Sequence, residues 1–207
     1  MKATIKAIDN GPLVLESDDN HSIIYFQDKP ITSGNPAYLC RCGHSKTKPF
    51  CDGAHSDVQF QSKREIESEV IQEYLGKSLD ITFNRSICAG AANCVAQLPS
   101  VFISGSSENW INPNNASPND IIATIQACPS GALSYKQGNH TLIDSRETAK
   151  VTIIKDGPYN VEAVNYDFKP MPKNFSTSKY TLCRCGLSRN KPYCDYSHAE
   201  NNWSDEA

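Results

Sequence analysis

Two short segments of this chain carry the same metal-binding side chains at the same spacing, and this repeat constrains the fold more than any other feature. Residues 40–55 and 183–198 both fit the pattern C-x-C-x2-S-x3-P-x-C-D-x-x-H, with an offset of 143 positions. Each segment therefore supplies three thiolate donors and one imidazole from a single loop. The donors are Cys40, Cys42, Cys51 and His55 in the first loop, and Cys183, Cys185, Cys194 and His198 in the second.

The pattern resembles the CDGSH iron-sulfur domain family. That resemblance implies two [2Fe-2S] clusters, each bound by three Cys and one His, in a β-rich fold whose two clusters are related by a two-fold axis. Because both motifs lie in one chain, we expect the two repeats to form an intramolecular pseudo-dimer and the protein to be a monomer. Zinc is the main competing metal, since Cys3His is a common structural zinc set, although this spacing is not a usual finger spacing.

A weaker repeat lies upstream of each loop. Residues 5–12 and 151–158 are both rich in β-formers and end in an Asn-Gly-Pro or Asp-Gly-Pro turn. Each repeat should therefore run strand, turn, strand and then cluster loop. The second loop departs from the pattern at Tyr196, where the first has Gly53. A tyrosine there predicts a different turn or a shielded His198.

The material between the repeats, residues 61–149, predicts a different kind of domain. We expect a helix over 63–75 with its glutamates on a solvated face, strands at 79–83, 110–111 and 132–135, and a short helix at 91–96. A second helix should run over 118–127 with Ser117 as its N-cap. The fold class is therefore α+β: CDGSH repeats at 1–60 and 150–207, with a ferredoxin-like βαββαβ domain inserted at 61–149.

The remaining three cysteines are Cys88, Cys94 and Cys128, the last followed by Pro129. The stretches CAGAANCVAQLPSVF and CPSGAL resemble single-cluster bacterial ferredoxins and divergent mono-cluster ferredoxin domains. Ala91 stands where C-x2-C-x2-C ferredoxins have a second thiolate. Three thiolates favour [3Fe-4S], whereas [4Fe-4S] would need a fourth ligand from water, Asn93 or another group. The alternative without a cluster is three buried free cysteines acting as small hydrophobic side chains.

The composition indicates in which cellular compartment the protein works and which classes of partner are not expected. Nine cysteines are an odd number and group with histidines, which fits metal binding in a reducing cytoplasm better than a secreted disulfide framework. A net charge of -3 and a pI near 5.9 give no reason to expect nucleic acid as a partner. No signal peptide and no apolar run of membrane-spanning length is present in the sequence, so no membrane partner is expected either.

Three redox centres without a nucleotide, flavin or nicotinamide motif predict a soluble electron carrier rather than an enzyme. Its partners would be a reductase and an electron acceptor. The alternative function is an iron-sulfur cluster donor or a redox and iron sensor, because one histidine ligand makes a [2Fe-2S] centre labile. The basic residues of both loops could offset cluster charge, guide an acidic partner or simply be solvated; they are Arg41, Lys46, Lys48, Arg184, Arg189 and Lys191.

Overall fold

The computed structural model describes residues 3–18, 23–105, 109–138, 140–141 and 144–206. The strands of the first repeat are β1 (Ala3–Ala7), β2 (Leu13–Ser17), β3 (Ile24–Phe26), β4 (Lys29–Pro30) and β5 (Ala37–Leu39). Those of the central segment are β6 (Ile71–Tyr74), β7 (Asp80–Asn84), β8 (Leu133–Gln137) and β9 (His140–Thr141). Those of the second repeat are β10 (Lys150–Ile153), β11 (Tyr159–Glu162), β12 (Asn165–Asp167) and β13 (Lys179–Leu182).

The helices are short and most of them lie beside cysteines. They are α1 (Ala54–Asp57), α2 (Asn93–Gln97), α3 (Pro118–Gln126) and α4 (Ser197–Glu200), with one 3-10 turn at Arg85–Ile87. The fold is therefore α+β and mostly sheet, as predicted. Within the described residues, no helix has the length and apolar character needed to cross a membrane.

Both repeats form the predicted strand, turn, strand and loop. The hairpins β1–β2 and β10–β11 are antiparallel, and their turns contain Asn10 and Asp156 at φ 51° and 52°. Asn and Asp tolerate this left-handed conformation because their side chains hydrogen-bond locally. β5 and β13 then pair with β2 and β11, so each cluster loop leaves its sheet from an equivalent strand.

The two repeats exchange strands. β12 of the second repeat pairs in parallel with β1, and β3 of the first repeat pairs in parallel with β10. The resulting sheets have the orders β12-β1-β2-β5 and β13-β11-β10-β3-β4. Each sheet thus contains backbone from both ends of the chain, which joins repeats separated by the whole central segment.

The central segment forms its own antiparallel sheet, in the order β6-β7-β8-β9. Between β7 and β8 come α2, a single antiparallel bridge from Phe102 to Ile111, and α3. In the expected βαββαβ order, the two middle strands would form a hairpin, and the structure has only this single bridge in their place. β6 and β9 are edge strands that the expected order does not include. The predicted strand at 110–111 is reduced to that bridge.

The predictions for α2, α3, β7 and β8 are confirmed to within a few residues. Ser117 caps α3 as expected: its Oγ accepts a hydrogen bond from the Asp120 amide at 3.3 Å and donates one to the Asp120 carboxylate at 2.7 Å. Pro118 at the first helical position needs no amide partner, so it suits the start of this helix.

The predicted helix over 63–75 is wrong, because this stretch lies extended between domains and ends in β6. Glu69 was expected on a solvated face, yet its carboxylate accepts hydrogen bonds from the Lys173 amide and the Asn84 side chain at 2.8 and 2.9 Å. The Glu65 amide donates to the Arg189 carbonyl at 2.8 Å. These long-range bonds replace the local bonds of a helix, and periodicity cannot reveal them.

A buried ion pair ties the second repeat to the central domain. Lys179 of β13 is 1% exposed, and its ammonium lies 2.5 Å from Asp144. It also donates to the carbonyls of Ile125 and Gln126 at 3.2 and 2.6 Å, at the end of α3. One charge therefore neutralises a buried carboxylate and satisfies the final carbonyls of a helix.

We expect Lys179→Met to lower the free energy of unfolding by about 3 kcal/mol, because it leaves the Asp144 carboxylate buried with a weakened set of partners. Denaturant titration of the holoprotein followed by circular dichroism measures this. Lys6→Met is the matched control, since the Lys6–Glu16 pair is exposed and such pairs contribute only about 0–1 kcal/mol. Equal losses in the two variants would contradict the prediction.

Candidate metal centres

The first cluster loop begins where β5 ends. The Cys40 amide donates to the Pro49 carbonyl at 2.8 Å and the Cys51 amide donates to the Tyr38 carbonyl at 2.8 Å, so the loop folds back on its own strand. The Cys40 and Cys42 sulfurs lie 3.6 Å apart. The Cys51 sulfur lies 3.3 Å from Nδ1 of His55, which α1 presents. All four predicted donors of this loop are thus brought together as two pairs.

The second loop repeats this arrangement after β13. The Cys183 and Cys185 sulfurs lie 3.7 Å apart, and the Cys194 sulfur lies 3.4 Å from Nδ1 of His198. The Cys183 amide donates to the Pro192 carbonyl at 2.8 Å, as Cys40 does to Pro49. The surroundings differ, because Cys194 is 2% exposed whereas Cys51 is partly exposed.

A buried arginine stands between the first two cysteines of each loop. Arg41 is 3% exposed; its Nε donates to the Gly11 carbonyl at 2.7 Å and its Nη2 to the Ile8 carbonyl. Arg184 donates in the same way to Gly157 and Ile154 at 2.8 and 2.7 Å. The guanidinium therefore fixes the C-x-C segment to the turn of its hairpin. These two basic residues are not solvated.

The serines and aspartates of the motif organise the loop backbone. Ser45 donates to the Phe50 carbonyl at 2.6 Å, and Ser188 donates to the Tyr193 carbonyl at 2.7 Å. Asp52 accepts from the amides of Lys46 and Ala54 at 2.8 and 3.0 Å. Those amides lower the pKa of Asp52. These contacts give the serine and aspartate side chains a role in forming the turns of the loop.

Hydrogen bonds shift the pKa values of the two thiols within each C-x-C pair. The bond from Cys42, helped by backbone amides at 42, 43 and 45, lowers the pKa of Cys40 to about 5 despite its burial. The equivalent bond from Cys185 lowers the pKa of Cys183 to about 7. Burial raises the pKa of Cys51, of Cys194 and, to about 11, of Cys94. The same bonds raise the pKa values of Cys42 and Cys185, so one thiol of each pair loses its proton more easily than its neighbour.

Tyr196 adopts nearly the same backbone conformation as the glycine it replaces. Its φ is 83° and that of Gly53 is 95°, so the turn is conserved and the expected alternative of a different turn is wrong. Its ring lies edge-on to the His198 ring, with centroids 5.8 Å apart, and burial lowers the pKa of His198. The other alternative, a shielded histidine, is the one that the contacts support.

The two cluster loops touch each other. A side chain at Gly43 would overlap the Cys185 carbonyl, and one at Gly186 would overlap the Cys42 carbonyl. Both glycines also have positive φ, 84° and 79°. The two C-x-C segments therefore pack against one another in a reciprocal contact that only glycine permits.

Two aromatic residues near the sites were missed by sequence reasoning. The Arg41 guanidinium lies 5.4 Å from the centroid of the Phe60 ring, and that of Arg184 lies 4.9 Å from the Trp203 ring. Cation–π contacts of this kind help keep a buried guanidinium in place. Phe60 and Trp203 are separated by the same 143 positions as the ligands, so extending the repeat beyond the motif could have found them.

The central cysteines come together around a small cavity. Cys88, Cys94 and Cys128 all line it, together with the backbone of residues 89–93. Burial raises the pKa of Cys88. Asn93, considered as a fourth ligand, donates its side-chain amide to the Ala127 carbonyl at 3.1 Å. Ala91, at the corner without a cysteine, is exposed.

The donors do not gather as single-ion sites. In the part of the chain that the structure describes, no three or more His, Cys, Asp or Glu side chains converge closely enough to bind one metal ion together. Two sulfur ligands about 2.3 Å from one tetrahedral metal ion lie ~3.8 Å apart, close to the C-x-C separations. Each pair can thus serve one metal atom, which suits a centre containing more than one.

Comparison with known protein families divides the chain into two terminal segments and a different central segment. Residues 10–56 and 156–199 match the family described as iron-binding zinc finger, CDGSH type. Residues 74–138 match the family described as divergent 4Fe-4S mono-cluster.

Relatives of one kind match a single stretch of the chain. The uncharacterized protein YjdI of Escherichia coli (strain K12) is 35% identical over 63 residues, which cover 30% of this chain and 82% of that protein. YjdI of Escherichia coli O157:H7 matches to the same extent. No solved structure matches the chain. With two CDGSH segments on either side of a divergent mono-cluster domain, the chain belongs to the CDGSH family as a tandem iron-sulfur protein.

Proposed function

We propose that this protein is an electron carrier with two [2Fe-2S] clusters and one [3Fe-4S] cluster, which takes electrons from a reductase and passes them to an acceptor protein. The observation that carries the proposal is that three groups of cysteine and histidine donors lie in loops that contact one another. Iron-sulfur centres exchange single electrons. Loops in contact keep such centres close, and electron transfer is fast only over short distances.

The paired donors support a [2Fe-2S] cluster at each CDGSH loop. One iron would be bound by Cys40 and Cys42 and the other by Cys51 and Nδ1 of His55. The equivalent pairs of the second loop would bind in the same way. A neutral imidazole in place of a thiolate removes one negative charge, which raises the reduction potential relative to all-cysteine ferredoxins.

The central site supports a cluster with three protein ligands. Ala91, at the fourth corner, is exposed and has no donor atom in its side chain, and a [3Fe-4S] cluster needs no ligand there. The description of the matching family names a 4Fe-4S cluster, so [4Fe-4S] with solvent at that corner is the alternative. The protein ligands of either cluster would be Cys88, Cys94 and Cys128.

The exchanged strands support an intramolecular pseudo-dimer. β1 with β12 and β3 with β10 relate the two repeats reciprocally, as the two chains of a symmetric dimer would be related. In this proposal residues 1–60 and 150–207 form one CDGSH unit, residues 61–149 form the inserted domain, and the protein acts as a monomer.

A second candidate function is cluster donation or redox and iron sensing. The first loop favours it, because His55 is partly exposed and a side chain added at Gly53, in the turn that presents His55, would meet nothing within 4 Å. An accessible single histidine ligand is a point at which a cluster can be released. Transfer of iron and sulfide from the first site to an apo-ferredoxin within minutes would favour this function over electron transfer alone.

We expect the anaerobically purified protein to contain iron and acid-labile sulfide in the amounts that two [2Fe-2S] clusters and one [3Fe-4S] cluster require. Low-temperature EPR should show a [3Fe-4S] signal in the oxidised protein and two [2Fe-2S] signals after reduction with dithionite. Zinc without sulfide would overturn the proposed function. A central signal that appears only after reduction would replace [3Fe-4S] by [4Fe-4S].

We expect His55→Cys to lower the midpoint potential of the first site, because a thiolate adds negative charge to the cluster. The pH dependence of that potential should flatten, since imidazole titrates near neutral pH and a cluster-bound thiolate does not. EPR-monitored redox titrations at several pH values measure both effects. His198→Cys is the matched variant for the second site, and an unchanged pH slope in both would contradict the prediction.

A further inference from the structure

We propose that Tyr196 holds the second CDGSH site against the central cluster loop, so that these two centres form a coupled pair from which the first CDGSH site is set apart. This inference rests on the proposed function, because it requires clusters at both sites. It states the spatial order in which the three centres lie, and it assigns a positioning role to Tyr196, which departs from the CDGSH pattern.

The contact is made by Gly90, which lies between Cys88 and Cys94. A side chain at Gly90 would overlap the Cδ2 and Cε2 atoms of Tyr196. The absence of a side chain therefore allows the aromatic ring to lie directly on the backbone of the central loop. The Gly90 backbone has φ 73°, a conformation that also favours glycine.

The same ring reaches the second CDGSH ligands. Tyr196 lies between Cys194 and His198 in the sequence, and its ring meets the His198 ring edge-on at 5.8 Å. One side chain thus spans from a histidine ligand of one centre to the ligand loop of another.

Further contacts fix this junction. Arg85 donates to the Asp195 carbonyl at 3.2 Å, and its guanidinium lies 3.5 Å from the Glu200 carboxylate and 6.0 Å from the centroid of the Tyr196 ring. The Asn190 side chain donates to the Ser86 carbonyl at 2.7 Å. The residues just before Cys88 are therefore bonded to the second loop on both sides of Cys194.

The first CDGSH site makes no comparable contact within the described part of the chain. Gly53 occupies the position of Tyr196, and a side chain added there would meet nothing within 4 Å. The first loop instead contacts the second through Gly43 and Gly186. The contacts therefore give the order central site, second CDGSH site, first CDGSH site.

Cys88, Cys94 and Cys128 would hold one centre of the coupled pair, and Cys183, Cys185, Cys194 and His198 would hold the other. Bound clusters would allow one electron, supplied by a one-electron donor such as dithionite or a reductase, to pass from one centre to the other with no bond made or broken. Tyr196 takes no part as a redox group; it sets the separation between the two loops.

EPR microwave-power saturation of the partly reduced holoprotein tests the coupling. A neighbouring paramagnet speeds spin relaxation, so we expect the second-site [2Fe-2S] signal to need several-fold more power for half-saturation than the first-site signal. His55→Cys and His198→Cys assign the two signals, because each variant shifts or removes one of them. A Cys94→Ala variant without the central cluster should abolish the difference.

Gly90→Ala should reduce the difference by pushing the central loop away from Tyr196. Gly53→Ala is the matched control, since it places the same methyl group at a similarly positive φ in open space. Tyr196→Gly should also reduce the difference, because it removes the ring that holds the two loops together. Tyr196→Phe should behave as the unaltered protein, because the ring and not the hydroxyl makes the contact.

Two results would overturn the inference while leaving the proposed function intact: equal saturation of the two [2Fe-2S] signals, or a Gly90→Ala variant that saturates like the unaltered protein. Absence of the clusters themselves would instead overturn the proposed function. Iron, sulfide and spin quantification on the same samples separates these cases.

Discussion

The arginine between the first two cysteines of each loop fixes most of what surrounds it. Its guanidinium is withdrawn from water, which is tolerable only because hairpin carbonyls accept its hydrogen bonds and an aromatic ring packs on its face. The bond from Arg41 to Gly11, and its equivalent in the second repeat, set where each C-x-C segment lies relative to its sheet. The guanidinium therefore fixes the backbone that carries the thiols, and it would supply positive charge beside a bound cluster.

Both repeats contain this buried arginine, but the residues that surround the two cluster loops differ. A side chain added at Gly53 in the first loop would meet nothing within 4 Å, and among the described residues no carboxylate forms an ion pair with Arg41. In the second loop Tyr196 packs on the central loop at Gly90, and Asp205 forms an ion pair with Arg184. Packing of the insertion and the Asp205 carboxylate thus distinguish the two loops. A duplicated motif provides two similar centres, and local packing gives them different properties.

Several predictions from sequence held because they depended on local chemistry. The hairpin strands, the Asp-Gly-Pro turn and the Ser117 cap each involve groups within a few residues, so the pattern alone specifies them. The helix expected over 63–75 failed because Glu69 and its neighbours bond to residues far along the chain. The basic residues Arg41 and Arg184 could not be told from surface residues, since their burial depends on a hairpin turn formed elsewhere.

The sequence by itself determined which cysteines and histidines are candidate ligands, the spacing of the two CDGSH motifs and the β-hairpin that precedes each CDGSH loop, because these follow from short-range spacing and turn chemistry. Only the tertiary structure decided which loops touch. Strand exchange between distant repeats brings Gly43 against Cys185, and packing of the central domain brings Gly90 against Tyr196. These contacts join residues that are about a hundred or more positions apart in the sequence. A local sequence pattern cannot reveal contacts between residues so far apart.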